Sequence, residues 1–408
     1  MVPKGWEKKH LKDILSEPIR NGFSPVASDR ETGFWILSLG SLGDEGINVT
    51  EIKPVEPIDR VLQTQLSHGD FLVSRSNTPD KVGRSIYFQG EVENCSYPDL
   101  MMKFRIDEDK ADPIFIEQQL KSLDVRAYFK NCAAGSSSTM VKINKGILEK
   151  TPLLLPNIKE QKKIAQILST WDKAITITEQ LFFNSLKHRD ALMQQLLTGK
   201  KRFPGFNGEW KMEKIGRLLK VRKEKQVPSD DVPLFSLTIE NGVTAKTDRY
   251  NREFLVKNDK EKKYKLVKPR DIVYNPANIR WGAINYSKLK HSVVVSPIYE
   301  VLYVVDKKAH NLEFIAQSLM SKNQINKFAA MIEGTLVERM AVKIEPFLAT
   351  KLLVPPTLKE QEKISLIFLS NIKEIEILQT RLNYLKQEKK ALMQQLLTGK
   401  RRVKTEVA

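Results

Sequence analysis

Ala191-Leu192-Met193-Gln194-Gln195-Leu196-Leu197-Thr198-Gly199-Lys200 recurs letter for letter at residues 391–400, and this repeat decides the fold. Aligning Pro156–Lys200 with Pro356–Lys400 gives 20 identities in 45 positions without a gap. A period of 200 residues is far longer than the unit of a solenoid, so a domain-sized unit is used twice. The chain of 408 residues therefore alternates a globular segment with a repeated segment, two times over.

Each repeated segment has the apolar period of a long helix. Apolar residues fall at alternating steps of about three and four, as in a coiled-coil seam. They are Ile164, Leu168, Trp171, Ile175, Phe182, Leu186, Met193 and Leu196 in the first copy, and Ile364, Phe368, Ile375, Leu378, Leu382, Leu385, Leu392 and Leu396 in the second. Forty residues at ~1.5 Å each give a rod of about 60 Å.

Both ends of each rod carry local signals. Asn157 with Glu160 has the spacing of a capping box, and Thr357 with Glu360 repeats it. Glycine follows threonine at the other end, where it suits a helix stop. The similar seams predict that the two rods pack on each other as an antiparallel coiled coil. The alternative is that each rod packs only on its own globular segment.

The globular segments are predicted to be mixed, with short strands and a few helices. Predicted strands are Ile36–Leu39, Phe71–Ser74, Met101–Ile106, Val293–Val295 and Tyr299–Val305, and predicted helices are Pro113–Lys130 and Leu312–Met331. The fold class is therefore α+β, with two mixed α/β globular domains and two long antiparallel helices in a pseudo-two-fold, circular arrangement. The expected boundaries are domains at 1–155 and 201–354, rods at 156–200 and 355–400, and a basic tail at 401–408.

Charge and composition favour a nucleic-acid partner. The formal net charge is +18, and residues 211–290 hold 20 Lys and Arg against 10 Asp and Glu. Such a surface attracts polyanions, although a basic surface that only aids solubility is the alternative. The two cysteines form no CxxC pattern, which argues against a disulfide scaffold or a zinc finger. The sequence shows no membrane span and no signal segment, so a cytoplasmic location is expected.

With these features together, the sequence resembles the specificity subunits of type I restriction–modification enzymes. The likeness covers the whole chain. It rests on the tandem layout, on Leu155-Pro156-Asn157-Ile158-Lys159-Glu160-Gln161-Lys162-Lys163-Ile164 with its partner at 355–364, and on the Leu-Leu-Thr-Gly-Lys helix ends. The linker Arg202-Phe203-Pro204-Gly205-Phe206, which leads to Trp210, completes the pattern.

The resemblance implies a non-catalytic DNA reader. Each globular segment would be a target recognition domain for one half of a bipartite site in double-stranded DNA, and the rods would space the two halves. Two methyltransferase (modification) subunits would dock on the chain, and restriction/translocase subunits would complete the nuclease. S-adenosylmethionine would bind the methyltransferase partner, and ATP and Mg the restriction partner, so no catalytic residue, metal site or cofactor is expected here.

Polar loops supply the candidate DNA contacts. Arg can bind guanine and Asn can bind adenine through two hydrogen bonds, and Lys can bind phosphate. In the first segment the candidates after the strand at 71–74 are Ser74, Arg75, Ser76, Asn77, Lys81 and Arg84. Their counterparts in the second segment are Asn275, Asn278, Arg280 and Trp281. The alternatives are a solvated loop and, for Trp281, a core position.

A second group of candidates lies near the rods and in other loops. Ser136, Ser137 and Thr139, with Lys142, could bind phosphate, and Thr335, Arg339 and Lys343 are their counterparts. A flexible turn is the equal alternative for the stretch at 135–139. Arg20, Asn21, Arg222 and Lys288 complete the set of candidates.

The repeated strings on the rods are candidates for docking the two identical partners. They are Lys159, Glu160, Gln161, Gln194 and Gln195, repeated as Lys359, Glu360, Gln361, Gln394 and Gln395, and they are expected to be exposed. Duplicated surfaces can bind duplicated partners. The alternative is that these strings only cap and pack the helices.

Two motif-like strings are rejected. Asp99 with Glu108 and Lys110 has the residue types of a metal-dependent nuclease, but the last two are predicted to lie in an acidic turn rather than in a strand. Asn275-Pro276-Ala277-Asn278 is similar to the motif of amino-methyltransferases but lacks its aromatic residue. Two other functions stay open: a coiled-coil scaffold or RNA-binding adaptor without DNA specificity, and a nuclease in its own right.

Overall fold

The structure is a computed structural model that describes residues 2–43, 46–137, 139–239, 241–245, 262–331 and 341–404. The chain forms two compact units. The first consists of Met1–Gln180 with Gln379–Ala408, and the second is Leu181–Leu378. Among the described helices, none combines the length and the apolar character that crossing a membrane requires.

The first unit contains the first globular domain. Its strands are β1 (Glu7–His10), β2 (Arg20–Asn21), β3 (Trp35–Ile36), β4 (Lys53–Pro54), β5 (Phe71–Ser74), β6 (Ser76–Asn77), β7 (Ser85–Tyr87), β8 (Cys95–Ser96), β9 (Met101–Phe104), β10 (Ala134–Ser137), β11 (Met140–Lys142) and β12 (Pro152–Leu155). Its helices are α1 (Asp59–Leu62), α2 (Pro113–Lys121), α3 (Leu123–Cys132) and α4 (Lys145–Glu149), followed by the first rod, α5 (Ile158–Leu196).

The second unit contains the second globular domain. Its strands are β13 (Lys211–Lys214), β14 (Leu219–Val221), β15 (Lys225–Gln226), β16 (Leu234–Thr238), β17 (Gly242–Ala245), β18 (Tyr264–Val267), β19 (Ile272–Tyr274), β20 (Ile284–Tyr286), β21 (Val293–Val295), β22 (Glu300–Val304) and β23 (Lys351–Val354). Its helices are α6 (Ile215–Leu218), α7 (Leu312–Met320), α8 (Lys322–Ala330) and α9 (Ile344–Ala349), followed by the second rod, α10 (Leu358–Leu396).

The two domains share a sheet plan. The first strand of each domain pairs antiparallel with its last strand, β1 with β12 and β13 with β23. The four-stranded sheet in the order β2-β9-β5-β7 recurs as β14-β22-β19-β20. The first domain adds the sheets β4-β3-β8 and β10-β11-β6, and the second adds β15-β18-β21-β16-β17. Pairing of first and last strands places the start of each rod beside the start of its domain.

Within each unit, the start of one rod packs against the end of the other, which makes the pair antiparallel as predicted. In the first unit Ile164 and Leu168 share a core with Leu396 and Leu397 of α10. In the second unit the same core positions are Ile364, Phe368, Leu196 and Leu197. Those two cores also contain domain residues, Phe115 and Phe314 among them, so each rod start packs on its own domain as well.

The two predicted long domain helices are each broken in two, so that part of the prediction is wrong. Ser122 ends α2, and its extended backbone (φ −63°, ψ 153°) lets its hydroxyl accept the Val125 N–H of α3. Ser321 separates α7 from α8 with the same geometry. Serine is a good N-cap, and here that local bond competes successfully with helix continuation.

Two of the predicted strands have the predicted bounds, and one is mostly wrong. Strands β5 and β21 span Phe71–Ser74 and Val293–Val295, as the sequence indicates. The prediction at 36–39 keeps only Ile36 in β3, because a 3-10 helix, Leu39–Ser41, follows at once. There the Ser38 hydroxyl accepts the Gly40 N–H, which starts the turn and ends the strand.

Candidate nucleic-acid interface

The loop after β5 is shaped by its own polar side chains. Ser74, Ser76 and Asn77 are buried, although they were predicted to contact DNA. Asn77 donates to the Ser74 hydroxyl (3.3 Å) and accepts the Thr78 N–H (2.9 Å). Their side chains therefore fix the loop, while Arg75 is half-buried and Lys81 is exposed. Arg84 donates to the Leu42 carbonyl (3.2 Å), which gives it a structural contact too.

Helix α3 holds the tip of this loop from behind. The Arg126 guanidinium donates to the carbonyls of Val82 (2.8 Å) and Asp80 (2.9 Å), and Lys130 pairs with the Asp80 carboxylate (3.0 Å). Gly83 has a φ of +71°, and a Cβ there would lie 2.4 Å from the Phe129 ring. Position 83 therefore requires glycine, because any side chain there would collide with the Phe129 ring of α3. Sequence reasoning missed this support, because no local pattern links Arg126 to the loop.

The sheet β10-β11-β6 joins two candidate segments that are far apart in sequence. Lys142 of β11 pairs with Ser76, and the Ile143 N–H donates to the Arg75 carbonyl (2.9 Å). Thr139 and Lys142 are exposed. The stretch at 134–142 is thus a hairpin on the described residues, and the side chains of Ser136 and Ser137 lie outside what the structure describes.

The second domain repeats this plan with other residues. Asn275 is buried, and its side-chain oxygen accepts the Ala277 N–H (3.0 Å), so it shapes the loop at 275–283 rather than facing outward. The Pro276 carbonyl accepts the Val342 N–H (2.9 Å), which brings exposed Lys343 to this loop. Asn278 is half-buried. Thr335 and Arg339 lie outside the described residues.

Trp281 is a surface residue, so its alternative as a core position is wrong. The loop forms a 3-10 helix, Ile279–Trp281, which Gly282 ends with a φ of +91°. The indole is 58% exposed. The Arg280 guanidinium carbon lies 4.0 Å from the centre of the Trp281 ring, as in a cation–π contact.

Arg222 is a structural residue in this fold, which corrects its assignment to the DNA-facing set. Its side chain is only 12% exposed, and it donates to both carboxylate oxygens of Asp271, with Nη2–Oδ1 at 2.8 Å. That bond raises the pKa of Arg222. In the first domain Asp70 accepts one hydrogen bond from Arg105 (2.7 Å). Each aspartate also accepts a backbone N–H, from Ser67 and Lys268 respectively (2.8 Å each).

The remaining candidates of this group are exposed. Arg20 and Asn21 form β2, whose partner is β9. The loop that follows is tight, because a Cβ on Gly22 would lie 2.1 Å from the Tyr97 carbonyl oxygen. Lys288 is exposed and lies 3.7 Å from Glu376 of α10.

Glu160 and Glu360 are buried, which contradicts the expectation that they are exposed for docking. Glu160 is 2% exposed and binds Arg402, which follows α10, with oxygen–nitrogen distances of 2.6 and 2.7 Å. Glu360 is 1% exposed and binds Arg202, which follows α5, at 2.8 and 2.9 Å. Each pair raises the pKa of its arginine. We call these two pairs the rod clamps.

The capping-box prediction is half confirmed: the cap residues accept the glutamate N–H groups, but the glutamate side chains belong to the rod clamps. The Glu160 N–H donates to Asn157 (3.0 Å) and the Glu360 N–H to Thr357 (3.3 Å), as a capping box requires. The carboxylates do not return to the cap residue, because the arginines take them. A charge-assisted, two-point bond to arginine is stronger than a bond to a backbone N–H.

Gln161 and Gln361 are buried as well and bind the domains. Gln161 accepts the Asp112 N–H (2.9 Å) and donates to the Pro156 carbonyl (2.9 Å). Gln361 accepts the Asn311 N–H (2.8 Å) in the same way. Asp112 and Asn311 are the N-caps of α2 and α7. Each glutamine therefore links the start of its rod to the N-terminus of a helix in the preceding domain.

The other docking candidates are exposed. In the first unit they are Lys159, Gln394 and Gln395, and in the second they are Lys359, Gln194 and Gln195. Each set lies beside a rod clamp, because it combines the start of one rod with the end of the other.

The nuclease-like string is dispersed on the described residues. Asp99 is exposed, and its carboxylate accepts a hydrogen bond from Ser24. Glu108 lies in the turn before α2, as predicted, and Lys110 pairs there with Asp107 (3.1 Å), which lowers the pKa of Asp107.

Known proteins resemble this chain in sequence over about half of its length. Residues 3–182 match the family described as "Type I restriction modification DNA specificity domain". A Methanocaldococcus jannaschii protein, provisionally assigned as the specificity subunit of the type I restriction enzyme MjaX, is 30% identical over 203 residues. That match covers 48% of this chain and 46% of the relative, so the chain matches about half of the relative's length.

Two solved structures have the same fold at low identity. The S subunit of the type I restriction–modification system from M. genitalium has a TM-score of 0.61 at 13% identity, over 97% of this chain and 96% of that one. A chain from a study of complex assembly and conformational transition of the type I system has a TM-score of 0.54 at 14% identity, over 97% and 98%. Residues 3–182 thus match the family of type I restriction modification DNA specificity domains, and the chain shares its fold with these two solved structures.

Proposed function

We propose that this chain is the non-catalytic, sequence-specific DNA-binding subunit of a type I restriction–modification enzyme. Each globular domain reads one half of a bipartite DNA site. The observation that supports this most is the duplicated plan, in which each domain joins two polar segments, 74–84 with 134–142 and 275–283 with 341–343. Two different domains, each followed by a rod of the same length, fit a DNA site with two different halves.

The chemistry of these segments suits a DNA groove. Exposed Lys81, Thr139 and Lys142 in the first domain can contact phosphates, and half-buried Arg75 can reach base edges. In the second domain Asn278, Arg280, Trp281 and Lys343 take these roles. The buried residues Ser74, Ser76, Asn77 and Asn275 set the loop shapes, which holds the contacting groups in place before DNA arrives.

The two exposed docking sets, one in each unit, would bind the two methyltransferase subunits. Both sets consist of a lysine from a rod start and two glutamines from a rod end, so identical partners would meet identical groups. S-adenosylmethionine would be bound by those partners, and ATP and Mg by restriction subunits.

The test is co-expression with a type I methyltransferase subunit from the same genome, followed by single-molecule sequencing of the cellular DNA. The expected result is a stable complex and a bipartite motif methylated on adenine, with two short halves at a fixed gap. A stable complex that binds all DNA alike and methylates none would overturn the proposal and favour a scaffold. Cleavage that depends on Asp99, tested with Asp99→Ala in the complete enzyme, would favour a nuclease instead.

A further inference from the structure

The second domain exposes two large apolar side chains near its candidate DNA-binding loop. Trp281 is 58% exposed, and Ile239, at the end of β16, is 47% exposed. Ile239 lies beside the residue that follows Trp281, because the Ile239 Cγ2 atom is 3.9 Å from the position that a Cβ on Gly282 would take. Sequence reasoning missed Ile239, which is 42 residues away from Trp281 in the chain. Exposed apolar groups that adjoin in this way mark an interaction surface more often than single ones do.

The loop that carries Trp281 is held by several contacts. Gly282 ends the 3-10 helix in the left-handed region, and the Asn275 carbonyl accepts the N–H groups of Asn278 (3.1 Å) and Ile279 (2.8 Å). Helix α8 packs against this 3-10 helix from the other side. Arg280 lies over one face of the indole. The indole ring therefore loses little conformational entropy on binding, and little of its contact energy is offset by that loss.

The elements that contact the Trp281 loop carry basic side chains. Helix α8 contributes exposed Lys322 and Lys327 and contains no acidic residue, and exposed Lys343 adjoins the same loop. An exposed aromatic ring on a loop with basic neighbours fits a polyanion that also carries apolar faces, which describes the bases of DNA between their phosphates. An apolar protein partner would not require the cations.

We propose that Trp281 and Ile239 form a wedge that packs against the bases of the second half-site and loosens a base step there. Apolar side chains inserted between bases act in this way in several kinds of DNA-binding protein. The inference rests on the proposed function and adds an asymmetry to it. The loop of the first domain from Ser74 to Arg84 has no aromatic residue, so the wedge acts on the second half-site.

The test uses the complete complex with its methyltransferase and a duplex that carries the methylated motif. Trp281→Ala should weaken binding by about 5- to 150-fold, the range for one base stacked on an aromatic ring. The slope of log affinity against log salt should stay unchanged, since no phosphate contact is lost. Lys343→Ala is the matched control, which should lower that slope by about one. The indole is mostly exposed, so the melting temperature should not fall.

A fluorescent base separates a wedge from a simple surface contact. With 2-aminopurine placed step by step along each half-site, fluorescence should rise on binding at one step of one half only, and not with Trp281→Ala. Ile239→Ala should reduce the same signal in part. Wild-type affinity from Trp281→Ala, or loss of the methyltransferase instead of DNA affinity, would overturn the wedge. Absence of sequence-specific binding by the wild-type complex would overturn the proposed function itself.

Discussion

At the residue scale, the clamp glutamates show how a short motif acquires its role. Glu160 and Glu360 stand in the same string, Lys-Glu-Gln, and both are almost fully buried. A buried carboxylate without a partner would be costly, so each must meet a cation. Arg402, which follows α10, binds Glu160 of α5, and Arg202, which follows α5, binds Glu360 of α10. The Lys-Glu-Gln motif therefore holds the start of one rod to the end of the other.

We expect Glu360→Gln to lower the free energy of unfolding by about 1.5–3 kcal/mol, the range for a hydrogen bond to a charged group. The change removes the charge that binds Arg202, and it weakens the acceptor for the Trp210 N–H (3.2 Å). Chemical denaturation followed by circular dichroism measures this. Glu362→Gln, an exposed neighbour on α10, is the control and should change little. Equal stability of both variants would contradict a structural role for the clamp.

A buried tyrosine gives a pH-dependent prediction. Burial, helped by nearby Asp70, raises the pKa of Tyr97 from 10.0 to about 12. The neutral phenol is thus favoured in the folded state, so its contribution to stability is complete below pH 10 and is lost as the pH rises through about 12. In an absorbance titration of phenolate, Tyr97→Phe should remove a late-titrating group. If that variant instead removes one that titrates near pH 10, the burial of Tyr97 is wrong.

At the element scale, sheet pairing and one helix decide the shape of the first domain's reading loops. Strand β11 brings residues 140–142 beside β6, and α3 supports the adjacent loop through Arg126. Val82 anchors the loop at 78–83 in the domain core, and Arg126 holds the carbonyls of Asp80 and Val82. The order of the loop therefore depends in part on a side chain of α3.

Arg126→Ala should loosen the loop at 78–83 and weaken recognition of the first half-site, because the carbonyls of Asp80 and Val82 lose their donors. Hydrogen exchange of the loop amides should become faster, and affinity for duplexes should lose its dependence on the sequence of that half-site. The control is Lys130→Ala, which removes only one exposed ion pair to Asp80 and should have a smaller effect. Unchanged exchange would show that the loop is held by other contacts.

At the scale of the whole molecule, duplication makes two equivalent partner surfaces from one sequence unit. The set in the first unit is Lys159, Gln394 and Gln395, and its copy in the second is Lys359, Gln194 and Gln195. Changing one set leaves the other intact, so the number of partners bound becomes the measured quantity.

The double change Gln394→Ala with Gln395→Ala should reduce the bound methyltransferase subunits from two to one. Both side chains are exposed, so folding should not suffer. Mass photometry of the co-expressed complex reads the stoichiometry directly. Gln387→Ala, at an exposed position of the same rod, is the control and should leave two subunits bound. Two subunits on the double variant would place docking elsewhere on the chain.

The sequence by itself determined the repeat, the rods, their caps and the alternation of domains and rods. These depend on local properties: a seam recurs within a few residues, an N-cap accepts an N–H three residues on, and Gly199 and Gly399 adopt the left-handed conformation (φ 67° each). The loops at 74–84 and 275–283 could be found for the same reason, since each follows a buried strand.

Tertiary structure alone decided which residues of those segments face outward. Glu160 is buried because Arg402, 242 positions away, meets it, and Asn77 is buried where its strand pairs with Val141 of β11. Trp281 is exposed because its loop ends in a 3-10 helix on α8. Burial depends on what the rest of the chain places nearby, and one sequence segment carries no information about a partner hundreds of residues away.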